Sequence, residues 1–176
     1  MGGEAAKPAT GWQNELYDAL RRHGVTQFAY VPDGGHKILI ARSLSDSDVH
    51  SIPLTTEEEG VALLAGADLG GAKGVLVLQS SGVGNCVNML SLTQAGTFPL
   101  VMLVSMRGDY GEGNPWQFAM GLATQPVLEA MGVICLRVER PEEVVPSTDA
   151  ALTMAYAGRR AVAVLLTQKL IAAKKF

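Results

Sequence analysis

Three short runs of consecutive apolar residues limit the folds open to this chain more than any other feature. They are GVLVLQ at 74–79, PLVMLVS at 99–105 and AVAVLL at 161–166. Strands that are buried on both faces give such continuous runs, and parallel sheets covered by helices contain most strands of that kind. The sequence therefore predicts a sheet interior that is covered on both faces by the segments between the runs.

Three weaker strand-like segments alternate with segments of helical periodicity. The weaker strands are VTQFAYV at 25–31, VHSIPL at 49–54 and VICLRV at 133–138. Helices are predicted over about 12–23, 36–44, 57–71, 83–95, 124–131 and 142–157, the first with a capping box at Thr10-x-x-Gln13. This alternation predicts an α/β fold, an open doubly wound sheet of about six parallel strands with helices on both faces.

The domain organisation follows from the same pattern. We expect a single domain at 11–170, a disordered leader at 1–10 and a short basic tail at 171–176. The formal net charge of −3 gives no basic field, so neither nucleic acid nor an anionic membrane is an expected partner. Cys86 and Cys135 lie in apolar segments without metal-type spacing, which favours buried thiols in a cytoplasmic protein.

Polar and glycine residues concentrate in the loops that follow the predicted strands. These loops cover 32–36, 54–57, 80–85 and 106–121. Ligands of open α/β sheets bind beyond the carboxyl ends of the strands, so these loops are the expected site. The last of them is long for a compact domain, and loops of that length are usually functional or disordered.

The acidic triplet at 57–59 has a structural explanation and a functional one. Thr55-x-x-Glu58 and Thr56-x-x-Glu59 both fit a capping box, and carboxylates near a helix N-terminus are favoured by the helix dipole. Capping explains one or two of the three glutamates but does not require all of them. Similarly, QSSGVGNCVN at 79–88 fits either a tight turn or an anion site, and it matches neither the Walker nor the dinucleotide pattern.

Four segments in this order resemble the pyrimidine-binding domain of thiamine diphosphate-dependent decarboxylases. They are VPDGGHK, TTEEEGVALLAGADLGG, LQSSGVGNCVNML and SMRGDYGEGNPWQFAMGLATQPVLEAMG, and the similarity covers about 12–168. Within that family, the chain resembles the sulfopyruvate decarboxylase alpha subunits and the phosphonopyruvate decarboxylases. The resemblance implies decarboxylation of a small 2-oxo acid, with sulfopyruvate or phosphonopyruvate as the expected substrate.

The resemblance assigns roles to particular residues. In the family, a glutamate nine residues before the glycine of the small-residue helix hydrogen-bonds a ring nitrogen of the cofactor's aminopyrimidine, and counting back from Gly66 selects Glu57. Glu57 is thus the implied catalytic residue, with Ser81, Gly82 and Asn85 as further cofactor contacts. Glu58 and Glu59 keep the capping role.

Substrate contacts are implied for a second set of residues: Asp33, His36, Lys37, Arg107 and Gln117. Lys37 and Arg107 would neutralise a sulfonate or phosphonate, because such oxygens favour charge-assisted contacts. His36 is expected in the cleft itself. Related enzymes carry a bulkier pair where this chain has Gly34-Gly35, so the size of its pocket is expected to differ.

The resemblance also implies a partner. Family enzymes bind the cofactor's diphosphate and Mg²⁺ through a second domain with a Gly-Asp-Gly motif, whereas here Gly108-Asp109 is followed by Tyr110. We therefore expect a beta subunit that holds Mg²⁺ and shares the thiamine diphosphate, self-association of the resulting pairs, and no metal ligand in this chain. Two other classes stay open from the residues alone: a non-catalytic binding or regulatory module of this fold, and a flavodoxin-like nucleotide-binding domain.

Overall fold

A computed structural model describes residues 11–172, which contain six strands. The strands are Val25–Tyr30 (β1), His50–Pro53 (β2), Lys73–Gln79 (β3), Leu100–Ser105 (β4), Ile134–Val138 (β5) and Ala161–Leu166 (β6). The predicted leader at 1–10, the cap at Thr10 and most of the predicted basic tail lie outside the described residues.

Helices precede, connect and follow the strands. They are Gly11–Arg22 (α1), Lys37–Ser45 (α2), Glu57–Leu69 (α3), Ser80–Cys86 (α4), Ser91–Ala95 (α5), Phe118–Ala130 (α6), Pro141–Tyr156 (α7) and Gln168–Ile171 (α8). Single 3-10 turns at Gly34–His36 and Pro115–Gln117 lead into α2 and α6. None of the helices within residues 11–172 is long and apolar enough to cross a membrane.

The sheet is parallel throughout and confirms the predicted fold class. Its strand order is β2-β1-β3-β4-β6-β5. The connection after β1 runs outward to β2, whereas the connection after β3 runs the other way to β4. A crevice therefore forms between the carboxyl ends of β1 and β3, the position at which sheets of this type bind ligands.

Two hydrophobic clusters cover the two faces of the sheet. One is formed with α1 and α7, through Leu16, Leu20 and Leu152 among others. The other is formed with α3, α4 and α6, through residues such as Val61, Val83 and Leu128. β3, β4 and β6 send alternate side chains into both clusters, which explains why their sequences are apolar without alternation.

Three local predictions were wrong. The glycine-rich segment after β3 does not form a turn before a helix at 83, because α4 begins at Ser80 and ends at Cys86, with α5 following at 91–95. The helix predicted from 124 begins at Phe118. The side-chain oxygen of Asn114 accepts the backbone N–H of Trp116 and starts a 3-10 turn that continues into α6. Cys86 is buried as expected, but Cys135 is only half-buried.

Candidate active site

Glu57 opens α3 and lies against α4, so it is held between two helices. Only 9% of its surface is exposed. Its Oε2 accepts a hydrogen bond of 2.8 Å from Asn85 Nδ2. A Cβ placed on Gly82 would lie 2.2 Å from Glu57 Oε1, so only glycine leaves room for this carboxyl group. The structure thus brings Glu57 together with Gly82 and Asn85 of α4, and Asn85 is 28 positions away from it in sequence.

Glu58 and Glu59, the other two glutamates of the triplet, differ from Glu57 and from each other in exposure and in hydrogen bonding. Glu59 is exposed, and its Oε2 accepts the Thr55 N–H at 3.0 Å. Glu58 is half-buried, and its Oε2 has no hydrogen-bond partner among the described residues. Thr56 is the N-cap of α3 without a side-chain hydrogen bond, so neither predicted capping box forms completely. Glu59 makes the side-chain half of one capping box, but the backbone N–H that it accepts belongs to Thr55 and not to the predicted Thr56.

Asp33 lies in the crevice between β1 and β3 and is held by three donors. Its Oδ2 accepts from Gly35 N at 2.7 Å and from Ser105 Oγ at 2.6 Å. Its Oδ1 accepts from Gln79 Nε2 at 2.9 Å. Burial acts to raise the pKa of Asp33, but the hydrogen bonds from Ser105 and Gln79 hold that pKa below its ordinary value. Asp33 is therefore an ionised acceptor at neutral pH.

Gln79 connects Asp33 to two other predicted site residues. Its Oε1 accepts from Ser81 Oγ at 2.7 Å and from Gln117 Nε2 at 3.1 Å. Gln117 is 8% exposed, and its own Oε1 is buried without a hydrogen-bond partner among the described residues. The result is one continuous polar chain, Asp33–Gln79–Ser81/Gln117, that crosses the carboxyl ends of β1 and β3.

His36 and Lys37 lie in contrasting surroundings. His36 is 1% exposed and its Nε2 lies 3.3 Å from the Leu78 carbonyl oxygen, so it is buried under the strand ends rather than open in the cleft. Burial lowers the pKa of His36, which keeps the ring neutral. Lys37 is exposed at the start of α2 and lines a groove together with Asp33. Of these two residues, Lys37 is the one placed to meet an anionic group directly.

Arg107 is not a free cation in this structure. Its guanidinium forms two hydrogen bonds to Glu112, with Nε to Oε2 at 2.6 Å and Nη2 to Oε1 at 2.9 Å. The side chain of Glu112 is fully buried and that of Arg107 is 9% exposed. The charge that the sequence offered for a sulfonate or phosphonate is thus already compensated by a residue of the same loop.

The Arg107–Glu112 pair fastens the 106–114 loop to the end of β6. Gln168 Nε2 donates to Glu112 Oε2 at 3.0 Å, and Gln168 Oε1 accepts the backbone N–H groups of Asp109 and Tyr110, both at 3.1 Å. The loop that the sequence indicated as irregular is therefore ordered by polar contacts. It keeps Arg107, whose backbone N–H donates to Ser80 Oγ at 3.0 Å, in place next to α4.

We expect Glu112→Gln to lower the free energy of unfolding by about 3 kcal/mol, because Arg107 would retain a buried charge without its carboxylate. Urea denaturation of the full chain checks this value. The hydrogen bonds from Arg107 lower the pKa of Glu112 from 4.5 to about 2. Its contribution to stability is thus complete above pH 4.5 and is lost as the pH falls toward 2.

Glu142→Gln is the matched control for Glu112→Gln. Glu142 forms an exposed ion pair with Arg140 at 3.4 Å, and exposed pairs contribute little. The change should alter the free energy of unfolding by less than about 0.5 kcal/mol. Equal losses in the two variants would contradict a stabilising role for the buried pair.

Three residues of the site escaped the sequence reasoning: Gln79, Ser105 and Glu112. Gln79 and Ser105 are the last residues of β3 and β4, and each is the only polar side chain in its strand apart from Lys73 at the start of β3. That signal was available, since polar residues at the carboxyl ends of buried strands lie where ligands bind. No comparable signal in the sequence marks Glu112.

Large apolar side chains remain exposed beside the site. They are Tyr110, Trp116, Phe118 and Leu122, with Trp116 83% exposed. Most of the Trp116 side chain has no packing partner within residues 11–172. No group of three or more His, Cys, Asp or Glu side chains within residues 11–172 is arranged to hold a metal ion.

The chain is similar to two kinds of curated decarboxylase. It is 35% identical over 129 residues to the sulfopyruvate decarboxylase subunit alpha of Methanococcus maripaludis, covering 73% of this chain and 77% of that protein. It is 32% identical over 152 residues to the same subunit of Methanothermobacter thermautotrophicus, covering 86% and 92%. The phosphonopyruvate decarboxylase of Streptomyces viridochromogenes is 35% identical over 149 residues, which are 84% of this chain and 36% of the relative.

Comparison with solved structures bears on the fold. A 2-oxoglutarate:ferredoxin oxidoreductase from Magnetococcus marinus matches with a TM-score of 0.74 at 18% identity, over 91% of this chain and 29% of that one. At this identity the match supports the fold alone. No family model matches the chain.

Proposed function

Because the chain belongs to the family of sulfopyruvate decarboxylase alpha subunits, we propose that it is the pyrimidine-binding subunit of a heteromeric 2-oxo acid decarboxylase. The enzyme uses thiamine diphosphate, as the family does, and acts on sulfopyruvate or phosphonopyruvate. The observation that carries the proposal is Glu57, a carboxyl group enclosed by Gly82 and Asn85 near the crevice at the centre of the sheet.

The residues present fit the aminopyrimidine end of this cofactor. A buried carboxyl group can share a proton with a ring nitrogen, and Gly82, which has no side chain, lets the Glu57 carboxyl group lie against α4, where Asn85 also bonds it. The unpaired Oε1 of Gln117 is a buried acceptor that lacks a donor among the described residues. Both features suit a heterocycle with N–H donors.

Each residue has a stated task in this proposal. Glu57 holds the proton at the ring nitrogen, and Asn85 orients the Glu57 carboxyl group through the bond to Oε2. Ser81 and Gly82 line the ring. When bound, the cofactor supplies the electron sink for loss of CO₂, and the protein supplies binding, orientation and proton placement.

Lys37 is the proposed contact for the anionic group of the substrate. It is exposed and shares a groove with Asp33, which lies at the end of β1. His36, neutral and buried, supports the turn before α2 through its contact with the Leu78 carbonyl oxygen. Gln117 bonds the amide oxygen of Gln79, whereas Asp33 bonds the amide nitrogen. Arg107 contributes to the substrate site chiefly by holding the 106–114 loop, because Glu112 already neutralises its charge.

A beta subunit completes the enzyme. The relatives are named as alpha subunits, which implies a partner, and we assign the diphosphate and Mg²⁺ to that partner. The exposed side chains of Trp116, Phe118 and Leu122 adjoin the site and are available for such a contact. Self-association of alpha–beta pairs would give an assembly with two sites.

Co-expression with the beta subunit tests this function. The complex should release CO₂ from sulfopyruvate or phosphonopyruvate only when thiamine diphosphate and Mg²⁺ are present, and neither subunit alone should do so. A complex that assembles and binds the cofactor but releases no CO₂ from any 2-oxo acid would favour a non-catalytic module. Retention of a flavin or nucleotide by the isolated chain would favour the flavodoxin-like alternative.

A further inference from the structure

Gln79 occupies the centre of the polar chain, although nothing in the proposed function gives it a task. Its Nε2 donates to Asp33 Oδ1 at 2.9 Å, and its Oε1 accepts from Ser81 Oγ at 2.7 Å and from Gln117 Nε2 at 3.1 Å. The side chain therefore links an ionised carboxylate to two residues proposed to contact the ligand.

The direction of every bond in this chain follows from Asp33. A backbone N–H cannot reverse its role, so Gly35 N fixes Oδ2 of Asp33 as an acceptor, and the ionised carboxylate accepts at Oδ1 as well. Gln79 must therefore turn its NH₂ group toward Asp33. Its carbonyl oxygen is then left for Ser81 and Gln117, which can reach it only as donors.

Ser81 and Gln117 consequently have only acceptor positions free for a ligand. The hydroxyl proton of Ser81 is used on Gln79, so the free positions on Ser81 Oγ are lone pairs. The NH₂ group of Gln117 is likewise used on Gln79, which leaves its Oε1, buried and without a partner in the described part of the chain. A buried acceptor that lacks its donor is costly to keep, which points to a donor that arrives with a ligand.

We propose that Gln79 is a positioning residue. Because its amide is oriented by the carboxylate of Asp33, it uses the donors of Ser81 and Gln117 and leaves their oxygen atoms free to accept an N–H group of the ligand. Under the proposed function, on which this inference rests, that donor is the amino group of the aminopyrimidine. Ser81 immediately precedes Gly82, against which the Glu57 carboxyl group lies, so one of the two acceptors is on the same turn of α4 as that contact.

Asp33→Asn should reverse the polarity of the whole chain. The new amide oxygen must take the place of Oδ2, because Gly35 N and Ser105 Oγ both donate there. The new NH₂ group then faces Gln79, whose amide flips and presents its own NH₂ group to Ser81 and Gln117. Ser81 and Gln117 then accept from Gln79. Ser81 offers its O–H and Gln117 its N–H to the ligand, where the wild-type residues offer acceptors.

The test compares two probes on the alpha–beta complex with Mg²⁺. Calorimetry measures the dissociation constants of thiamine diphosphate and of oxythiamine diphosphate, in which an oxygen replaces the amino group. Asp33→Asn should weaken thiamine diphosphate binding by roughly 10-fold to 100-fold, the effect of replacing one good hydrogen bond with two opposed donors. Asp33→Asn should weaken the binding of oxythiamine diphosphate less than that of thiamine diphosphate, so the ratio of the thiamine diphosphate constant to the oxythiamine diphosphate constant should rise.

A second variant separates polarity from structural damage. Combining Asp33→Asn with Gln79→Glu restores a carboxylate that accepts from Ser81 and Gln117, and it keeps the net charge. The double variant should recover thiamine diphosphate affinity to within a few-fold of the wild-type value. Asp18→Asn, in an exposed ion pair with Arg42, is the matched control and should change neither constant.

Four outcomes decide the matter. An unchanged probe ratio in Asp33→Asn overturns the inference, and so does a double variant that assembles and binds no better than Asp33→Asn alone. If Asp33→Asn fails to assemble, Gln79→Met carries the test, and an unchanged probe ratio there overturns the inference. Failure of the wild-type complex to bind thiamine diphosphate would instead remove the proposed function itself.

Discussion

Glu57→Gln is expected to lower the turnover of the alpha–beta complex by roughly 10²-fold to 10⁴-fold, the range for a positioned acid–base group. The amide that replaces the carboxyl group has nearly the same shape and can still accept from Asn85, so packing between α3 and α4 should persist. What is lost is the ability to hold and release a proton at the ring nitrogen. Steady-state CO₂ release, with assembly monitored by size-exclusion chromatography, measures the effect.

Glu59→Gln is the matched control in the same helix turn. Glu59 is exposed and its side chain accepts the Thr55 N–H, a bond that glutamine can also form. Turnover should stay within about twofold of wild type, since a surface change of this kind alters free energies by about 0.5 kcal/mol or less. If the two variants lose activity equally, Glu57 has no special role.

Gly82→Ala should be nearly as damaging to turnover, by about 10²-fold, while the fold remains intact. The added Cβ would lie 2.2 Å from Glu57 Oε1 and 2.5 Å from its Cγ, so the carboxyl group must move. The displaced atoms are the end of a flexible side chain, and alanine is favoured over glycine within a helix, so stability should change little. A displacement near 1 Å at a reacting group can cost 10²-fold in rate.

Gly84→Ala lies in the same helix and controls for the change in helix propensity. A Cβ there would approach Met120 at 3.5 Å, which is ordinary contact. Turnover and thermal midpoint should both stay close to wild type. The account of Gly82 is contradicted if Gly82→Ala retains full turnover, or if its loss of turnover is matched by Gly84→Ala.

The sequence predicted the sheet because its strongest signals were local. β3, β4 and β6 are continuous apolar runs, and the structure places each within one residue of its expected limits. The start of α4 was misplaced for a physical reason. Its glycines look like turn residues, but the first of them is required because Glu57 occupies the space where a side chain would be.

The site was harder to predict because its polar partners are far apart in the chain. Ser105 meets Asp33 across 72 positions, and Gln79 meets it across 46, so no spacing in the sequence reveals either bond. Arg107 shows the converse difficulty. It looked like a free cation for an anionic substrate, yet Glu112, only five positions away, neutralises it once the loop closes.

The most direct test of the central claim measures proton exchange rather than product. Thiamine diphosphate, bound to the complex without substrate, is exposed to D₂O, and NMR of the released cofactor after acid quench gives the exchange rate of its thiazolium C–H. If Glu57 acts on the aminopyrimidine, the wild-type complex should exchange this proton at least about 10²-fold faster than the Glu57→Gln complex. Equal rates in the two complexes would contradict the assignment of Glu57, whatever substrate the enzyme uses.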